Sequence, residues 1–183
     1  DPDANYRAGF MPATGLYLGT RAHWSDLGGD FDGDTVLAGP DTIFIPDADD
    51  GTGYEFALGW MSKGWAMELS YTRIEYDGSI GSAPADIEYQ AISWNGMRYL
   101  RANEQLQPCL LIGLVFPWMD LDDASSFGGP FGNAELDNGF GIQAGLGLAW
   151  WFGPHLALDL RSLGTYQVFE EAEGVSGDSG TID

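Results

Sequence analysis

Positive charge, cysteine and long apolar runs are all scarce in this sequence. Seven basic residues stand against 28 acidic ones in 183, a formal net charge of -21, and Lys63 is the sole lysine. So few cations cannot neutralise a phosphate backbone, which excludes nucleic acid as a partner class. A single cysteine, Cys109, excludes an internal disulfide, and in its apolar segment it reads as a small hydrophobe. No stretch of 18 apolar residues occurs, so no transmembrane helix is expected. Nor does a basic segment precede an apolar one near the start, so any secretory signal is expected to have been removed or never present.

What remains is 44% hydrophobic and 19% charged, with 27 glycines. That balance belongs to a folded chain, and the length suits one domain over residues 1–183. Period-two alternation dominates. In 54–61 the even positions are Tyr54, Phe56, Leu58 and Trp60, opposite Glu55, Ala57, Gly59 and Met61. Beyond a Ser62-Lys63-Gly64 turn, Trp65, Met67, Leu69 and Tyr71 oppose Ala66, Glu68, Ser70 and Thr72, which predicts a β-hairpin. Leu16, Leu18, Thr20, Ala22 and Trp24 repeat the pattern, as do Leu110, Ile112, Leu114, Phe116 and Trp118. It recurs in Phe140, Ile142, Ala144, Leu146, Leu148 and Trp150, and in Leu156, Leu158 and Leu160.

Segment 87–100 is less regular, because Ile87 and Tyr89 share one parity while Ile92 and Trp94 share the other. A bulge near Ala91 would re-phase it. Seven strands are expected, at about 14–25, 54–62, 65–76, 87–100, 107–118, 139–151 and 155–168. Short turns alternate with long acidic links at about 26–53, 77–86 and 119–138, and an acidic tail follows from 169 to 183. Within the first link, Thr42 to Ile45 reads as part of two short rungs.

In a water-soluble sheet the bulky apolar face points to a core, whereas in a lipid-embedded barrel it points outward. Three features favour the outward assignment. The opposite face carries Gly139, Gly141, Gly145 and Gly147 on one strand, which leave room across a narrow lumen. It also carries Arg21, Glu55, Glu68, Asp159 and Arg161, whose opposite charges are expected to pair with one another. Arg98 joins them if the bulge has the right phase. Finally, Trp60, Trp65, Trp150 and Trp151 collect near one rim, and Trp24 and Trp118 near the other.

Through "TGLYLGTRAHW", "YEFALGWMSKGWAMELSYTR", "PCLLIGLVFPW" and "GFGIQAGLGLAWWFGPHLALDLR", the sequence resembles the small bacterial outer-membrane β-barrel family, similar to the OmpA transmembrane domain. The resemblance covers about residues 13–168 and implies an all-β, antiparallel up-and-down transmembrane β-barrel in the outer membrane of a Gram-negative envelope. Such barrels have even strand numbers. Seven strands are visible here, and the eighth that the resemblance implies is absent from "EEAEGVSGDSGTID".

Chemistry-bearing motifs are sparse. Asp30, Asp32, Asp34 and Asp41 stand at positions one, three, five and twelve of a calcium loop. Thr35 replaces its glycine and aspartate its bidentate glutamate, so calcium there competes with diffuse cation association and a solvated acidic loop. No other metal or cofactor is expected. His23 and His155 lack the neighbours of a zinc site, although they would meet if they faced each other across a lumen. Ser70, Ser93 or Ser162 would need a histidine base that sequence cannot place, and no enzyme activity is expected.

Two functions follow as expectations. The first is a structural outer-membrane protein without a wide pore, embedded in outer-membrane lipid and anchoring acidic loops for envelope integrity or surface interaction. The second is a binding protein, either a soluble lipocalin-like barrel or an accessory subunit taking a divalent cation or a protein partner through the acidic loops.

Overall fold

Alternating apolar residues with few helix formers between them give almost pure sheet. The computed structural model describes residues 14–28, 35–38, 41–44, 47–80, 83–101, 104–122, 134–137, 139–153, 155–169, 171–173 and 179–180. In chain order the strands are β1 (Gly15–Ser25), β2 (Thr35–Ala38), β3 (Asp41–Phe44), β4 (Asp47–Ser62), β5 (Trp65–Ile80) and β6 (Ala83–Tyr99). They continue with β7 (Leu106–Asp122), β8 (Ala134–Asp137), β9 (Phe140–Trp151), β10 (Ala157–Val168), β11 (Glu171–Glu173) and β12 (Ser179–Gly180). Seven long strands run β1-β4-β5-β6-β7-β9-β10, each antiparallel to its neighbour. Short β8, β11 and β12 extend the sheet beyond one end of β7, while β2 and β3 pair apart from it.

The tightest turn follows from two residues. Ser62 pairs with Trp65, so Lys63 and Gly64 alone span the hairpin, and both have positive φ, 49° and 79°. Such a turn matches strand twist, and glycine suits its second position at no steric cost. Elsewhere Pro117 interrupts the ladder. Its carbonyl accepts the Gly139 N–H at 3.1 Å, so its missing N–H lies on that same side. There β9 stops pairing with β7 at Val115, and β8 takes over at Met119.

The face assignment is the inverted one. Leu16, Leu18, Phe56, Leu58, Trp60, Leu69, Trp94, Ile112, Leu146 and Leu158 are exposed on the convex outside. Inside, buried residues form three tiers. Met61, Ala66, Met97, Tyr99, Cys109, Leu111, Ala149 and Trp151 cluster toward the tight turns. Ile74, Tyr76, Ile87, Tyr89, Ala91, Val115, Met119 and Phe169 cluster toward the other end. Polar Glu55, Glu68, Ser70, Thr72, Ser93, Asn95 and Gln143 are buried as well, and this polar tier holds the charges.

Closure is where expectation fails. The sheet is a half-barrel covering 200° around its axis, and its β1 and β10 edges stay 8 Å apart. Backbone pairing needs strands about 4.7–4.9 Å apart, and 8 Å leaves both edges unpaired. Open edges are what hydrocarbon does not tolerate. The expected closed transmembrane β-barrel is therefore corrected to an open, curled antiparallel sheet of seven long strands. With it fall the resemblance to the outer-membrane family, the outer-membrane location, the lipid partner and the structural envelope role. No helix among the described residues is long and apolar enough to cross a membrane.

Two smaller expectations also change. Segment 87–100 needs no bulge, because β6 pairs continuously with both neighbours and its odd positions face inward from Ile87 to Tyr99. The apolar Ile87 and Tyr89 lie inside because that end of the trough is itself an apolar tier, a use of large side chains that the inverted reading had assigned only to the outside. The irregularity lies instead in β4, between Ala48 and Gly51. The link 77–86 is largely strand, since β5 and β6 pair out to Ile80 and Ala83.

Candidate functional site

A concave trough of ≈ 1440 Å³ runs between the inner faces, open along the slot between β1 and β10. Strand parity alone brings its charges together. On β1, Tyr17, Gly19, Arg21 and His23 all point inward; on β10, Asp159 and Arg161 do the same. Glu55 of β4 and Glu68 of β5 form the floor. Gly59, beside Glu68 in the ladder, leaves the space into which the Tyr17 ring packs. A Cβ at Gly59 would overlap that ring.

Glu68 is the hub. Its side chain is wholly buried and accepts from Arg161 Nη1 at 2.7 Å and Nη2 at 3.2 Å. Arg21 donates to it at 2.7 Å and 3.1 Å, and the Tyr17 hydroxyl donates at 2.9 Å. Burial alone would raise the Glu68 pKa, but the Arg161 hydrogen bond and charge, with those of Arg21, outweigh it and hold the carboxyl below its ordinary 4.5. Arg21 also pairs with Glu55, and it crosses the slot to Asp159 at 3.3 Å. That contact independently fixes the edges as close. Asp159 in turn holds Arg161 at 2.6 Å.

His23 approaches Glu55 Oε2 at 3.2 Å, yet Nε2 makes no aligned hydrogen bond. Burial first, then the charges of Arg21 and Arg161, lower its pKa from 6.5, so the ring is neutral near pH 7. With His23 neutral, the cluster sums to two arginines against Glu55, Glu68 and Asp159, a net charge of -1. Asp159 Oδ1 is buried and also has no partner. The cluster thus keeps one uncompensated negative charge and one free acceptor beside the slot. Within the same tier, Gln143 donates to Asn95 across the floor.

No family model, curated protein or solved structure matches this chain. Its function therefore rests on the site itself.

The five charged residues singled out on the small-residue face, Arg21, Glu55, Glu68, Asp159 and Arg161, meet in this one network. Arg98 does not join them; it is exposed outside, its guanidinium 4.6 Å from the Trp65 ring centroid. His23 and His155 do not meet either, since His23 lies toward the far end of β1 while His155 is exposed in the turn before β10. Of the calcium-loop candidates, Asp30, Asp32 and Asp34 lie outside the described residues, and Asp41 opens β3 with its side chain likewise outside. Among the described residues no three His, Cys, Asp or Glu gather as metal ligands. The Ser70 hydroxyl is buried without a hydrogen-bond partner and Ser162 faces outward, so neither is paired with a histidine. Cys109 is buried, and burial pushes its thiol pKa up.

Sequence reasoning missed Tyr17 as a Glu68 ligand, although its parity with Arg21 was available. It also missed a polar tier on the outside. There Tyr71 donates to Gln90 at 2.6 Å, Gln90 donates to Glu88 at 2.7 Å, and Arg73 pairs with Glu88 at 2.7 Å. This tier bounds the apolar outer belt on its far side.

Proposed function

We propose that this chain is a non-catalytic binding protein, a trough that admits an elongated ligand through the slot between β1 and β10. The observation that carries this reading is the combination of an open slot with an under-compensated charged tier directly beneath it. A site that is concave, mostly pre-formed and lined by apolar walls with a few convergent polar groups is the usual form of a ligand pocket. Tyr17, Tyr76, Tyr89 and Trp151 line the walls, and Arg21, Glu55, Asp159 and Arg161 supply the polar groups.

The apolar outer belt fits the same role. Contiguous exposed apolar surface rimmed by polar groups marks an interaction surface, and in an accessory subunit it would be the face that meets a protein partner.

Trp151 provides the test, because it lies on the trough wall whereas Trp60, Trp65, Trp94 and Trp150 are exposed outside. Titration of the folded chain with elongated amphiphiles and extended peptides is expected to change tryptophan emission. Trp151→Phe should remove the response and Trp94→Phe, on the outside of β6, should keep it. A folded chain whose emission answers to none of these ligands, or a chain that folds only in a lipid bilayer that then covers the outer belt, would refute the proposal.

A further inference from the structure

We infer that the ligand of the slot is an extended polypeptide strand about 9–11 residues long, added antiparallel to both β1 and β10, with bulky apolar side chains outward and a lysine or arginine inward at its centre. This deepens the binding-protein reading and rests on it.

Direction comes first. Six successive antiparallel pairings separate β1 from β10, so the two edges run the same way. A strand placed between them is antiparallel to both, the pairing that every other long strand in this sheet already uses. Width comes second. Two strand spacings end to end span roughly 9.5 Å, and on a curved sheet the chord shortens to roughly 9 Å. The 8 Å slot is too wide for the edges to pair directly and falls about one ångström short of seating a third strand. Only the Arg21–Asp159 contact crosses it among the described ion pairs.

The outer face carries the same signature. On the two edges Leu16, Leu18, Leu158 and Leu160 are 79%, 84%, 61% and 71% exposed, against 54% for Leu69, 50% for Leu58, 47% for Leu110, 63% for Leu146 and 38% for Leu148 on inner strands, so the edge leucines are the more exposed on average. The difference is what a missing lateral neighbour produces, and outward apolar side chains on an added strand would supply it. On the inside, the net charge of -1 and the unpartnered Asp159 Oδ1 call for a cation or donor at the level of Arg21. Main-chain hydrogen bonds would give such a complex its affinity and alternate side chains its selectivity, as in other strand-addition complexes.

The test uses the full chain and an eleven-residue peptide alternating leucine or tyrosine with serine, its central inward residue lysine. Companion peptides carry aspartate at that position or the same residues scrambled. Amide hydrogen exchange should show new protection in both β1 and β10, with the lysine peptide binding at least about tenfold more tightly than the aspartate peptide. Asp159→Asn should narrow that preference, and swapping the peptide charge gives the same readout on the unaltered protein. Several results would overturn the inference: protection of one edge only, equal binding of all three peptides, edges protected without peptide as the protein concentration rises, or edges protected in the dilute free chain. The third would identify a second copy as the occupant, and the fourth would show edges closed on themselves. A Trp151 response to compact amphiphiles without edge protection would sink the strand while sparing the trough.

Discussion

Replacing Glu68 with glutamine is the most incisive perturbation of this fold. Glu68 accepts five hydrogen bonds, from Arg161, Arg21 and Tyr17, and its side chain has no exposure to water. Hydrogen bonds to charged groups contribute about 1.5–3 kcal/mol each, so a naive sum would exceed the whole stability of a domain. Glutamine keeps one acceptor oxygen, however, and Arg21 keeps Glu55 while Arg161 keeps Asp159. The new amide N–H groups must face guanidinium N–H groups, which cannot accept them. Breaking a buried pair on one side costs about 3–5 kcal/mol, and that is the expected loss for Glu68→Gln.

Arg161→Met should cost a similar amount, because it leaves Glu55, Glu68 and Asp159 with Arg21 as their only arginine. The double variant removes both partners together. Its loss should fall short of the sum of the singles by about 1.5–3 kcal/mol, the coupling expected of direct neighbours. Urea unfolding followed by circular dichroism measures all four corners. A Glu68→Gln loss below about 1 kcal/mol, or additivity within about 0.5 kcal/mol, would mean that the buried hub does not hold this sheet together.

Acid should weaken the fold in two stages. The lowered His23 pKa contributes stability that is present above its unfolded value of 6.5 and lost as pH falls toward the folded one, while lowered Glu68 contributes stability lost below its unfolded 4.5; His23→Gln should flatten the first stage in urea melts and leave the second. Gly59→Ala should cost about 1–3 kcal/mol by displacing the Tyr17 ring, whereas Gly164→Ala, with nothing within 4 Å, should be neutral or slightly stabilising in a thermal melt. Lys63→Asn should stabilise the fold by about 0.5 kcal/mol, read as a higher unfolding midpoint, since asparagine tolerates the positive φ that lysine adopts there.

Parity was legible in this sequence because a two-residue repeat fixes which side chains share a face. Leu58 and Glu55 could be assigned to opposite sides from their positions alone, and so could Leu160 and Arg161. The same rule failed at Ile87, where the side chain is apolar on both readings and only the filling of the trough decides its direction. The missing eighth strand was legible, but closure itself was not. It depends on cumulative curl and on which backbone groups meet across the seam, and neither leaves a local trace in β1 or β10. The partners of Glu68 were hidden for a related reason: Tyr17, Arg21 and Arg161 lie 51, 47 and 93 residues away, brought in by register rather than by spacing. The lipid reading of the apolar face took exposure and closure as one property, and the structure separates them.

That separation leaves the floor and the seam with different duties, which a comparison of two conservative variants can expose. Asp159 is partly exposed, at 19% of its side chain, and it touches Arg21 at 3.3 Å with one oxygen while the other is unpartnered. When Asp159 becomes asparagine, Arg21 still has Glu55 and Glu68, and Arg161 still has Glu68. Neither cation is stranded and asparagine keeps an acceptor oxygen for Arg161, so the loss should be near that of one charged hydrogen bond, about 1.5–3 kcal/mol, under the 3–5 kcal/mol expected for Glu68→Gln. A sheet held from its floor in this way can part at its seam without unfolding, and admission of a ligand between β1 and β10 requires that. The same urea titration decides the matter. If Asp159→Asn proves the more damaging of the two, the Arg21–Asp159 contact is a structural clasp, and the slot is a closed seam rather than an entrance.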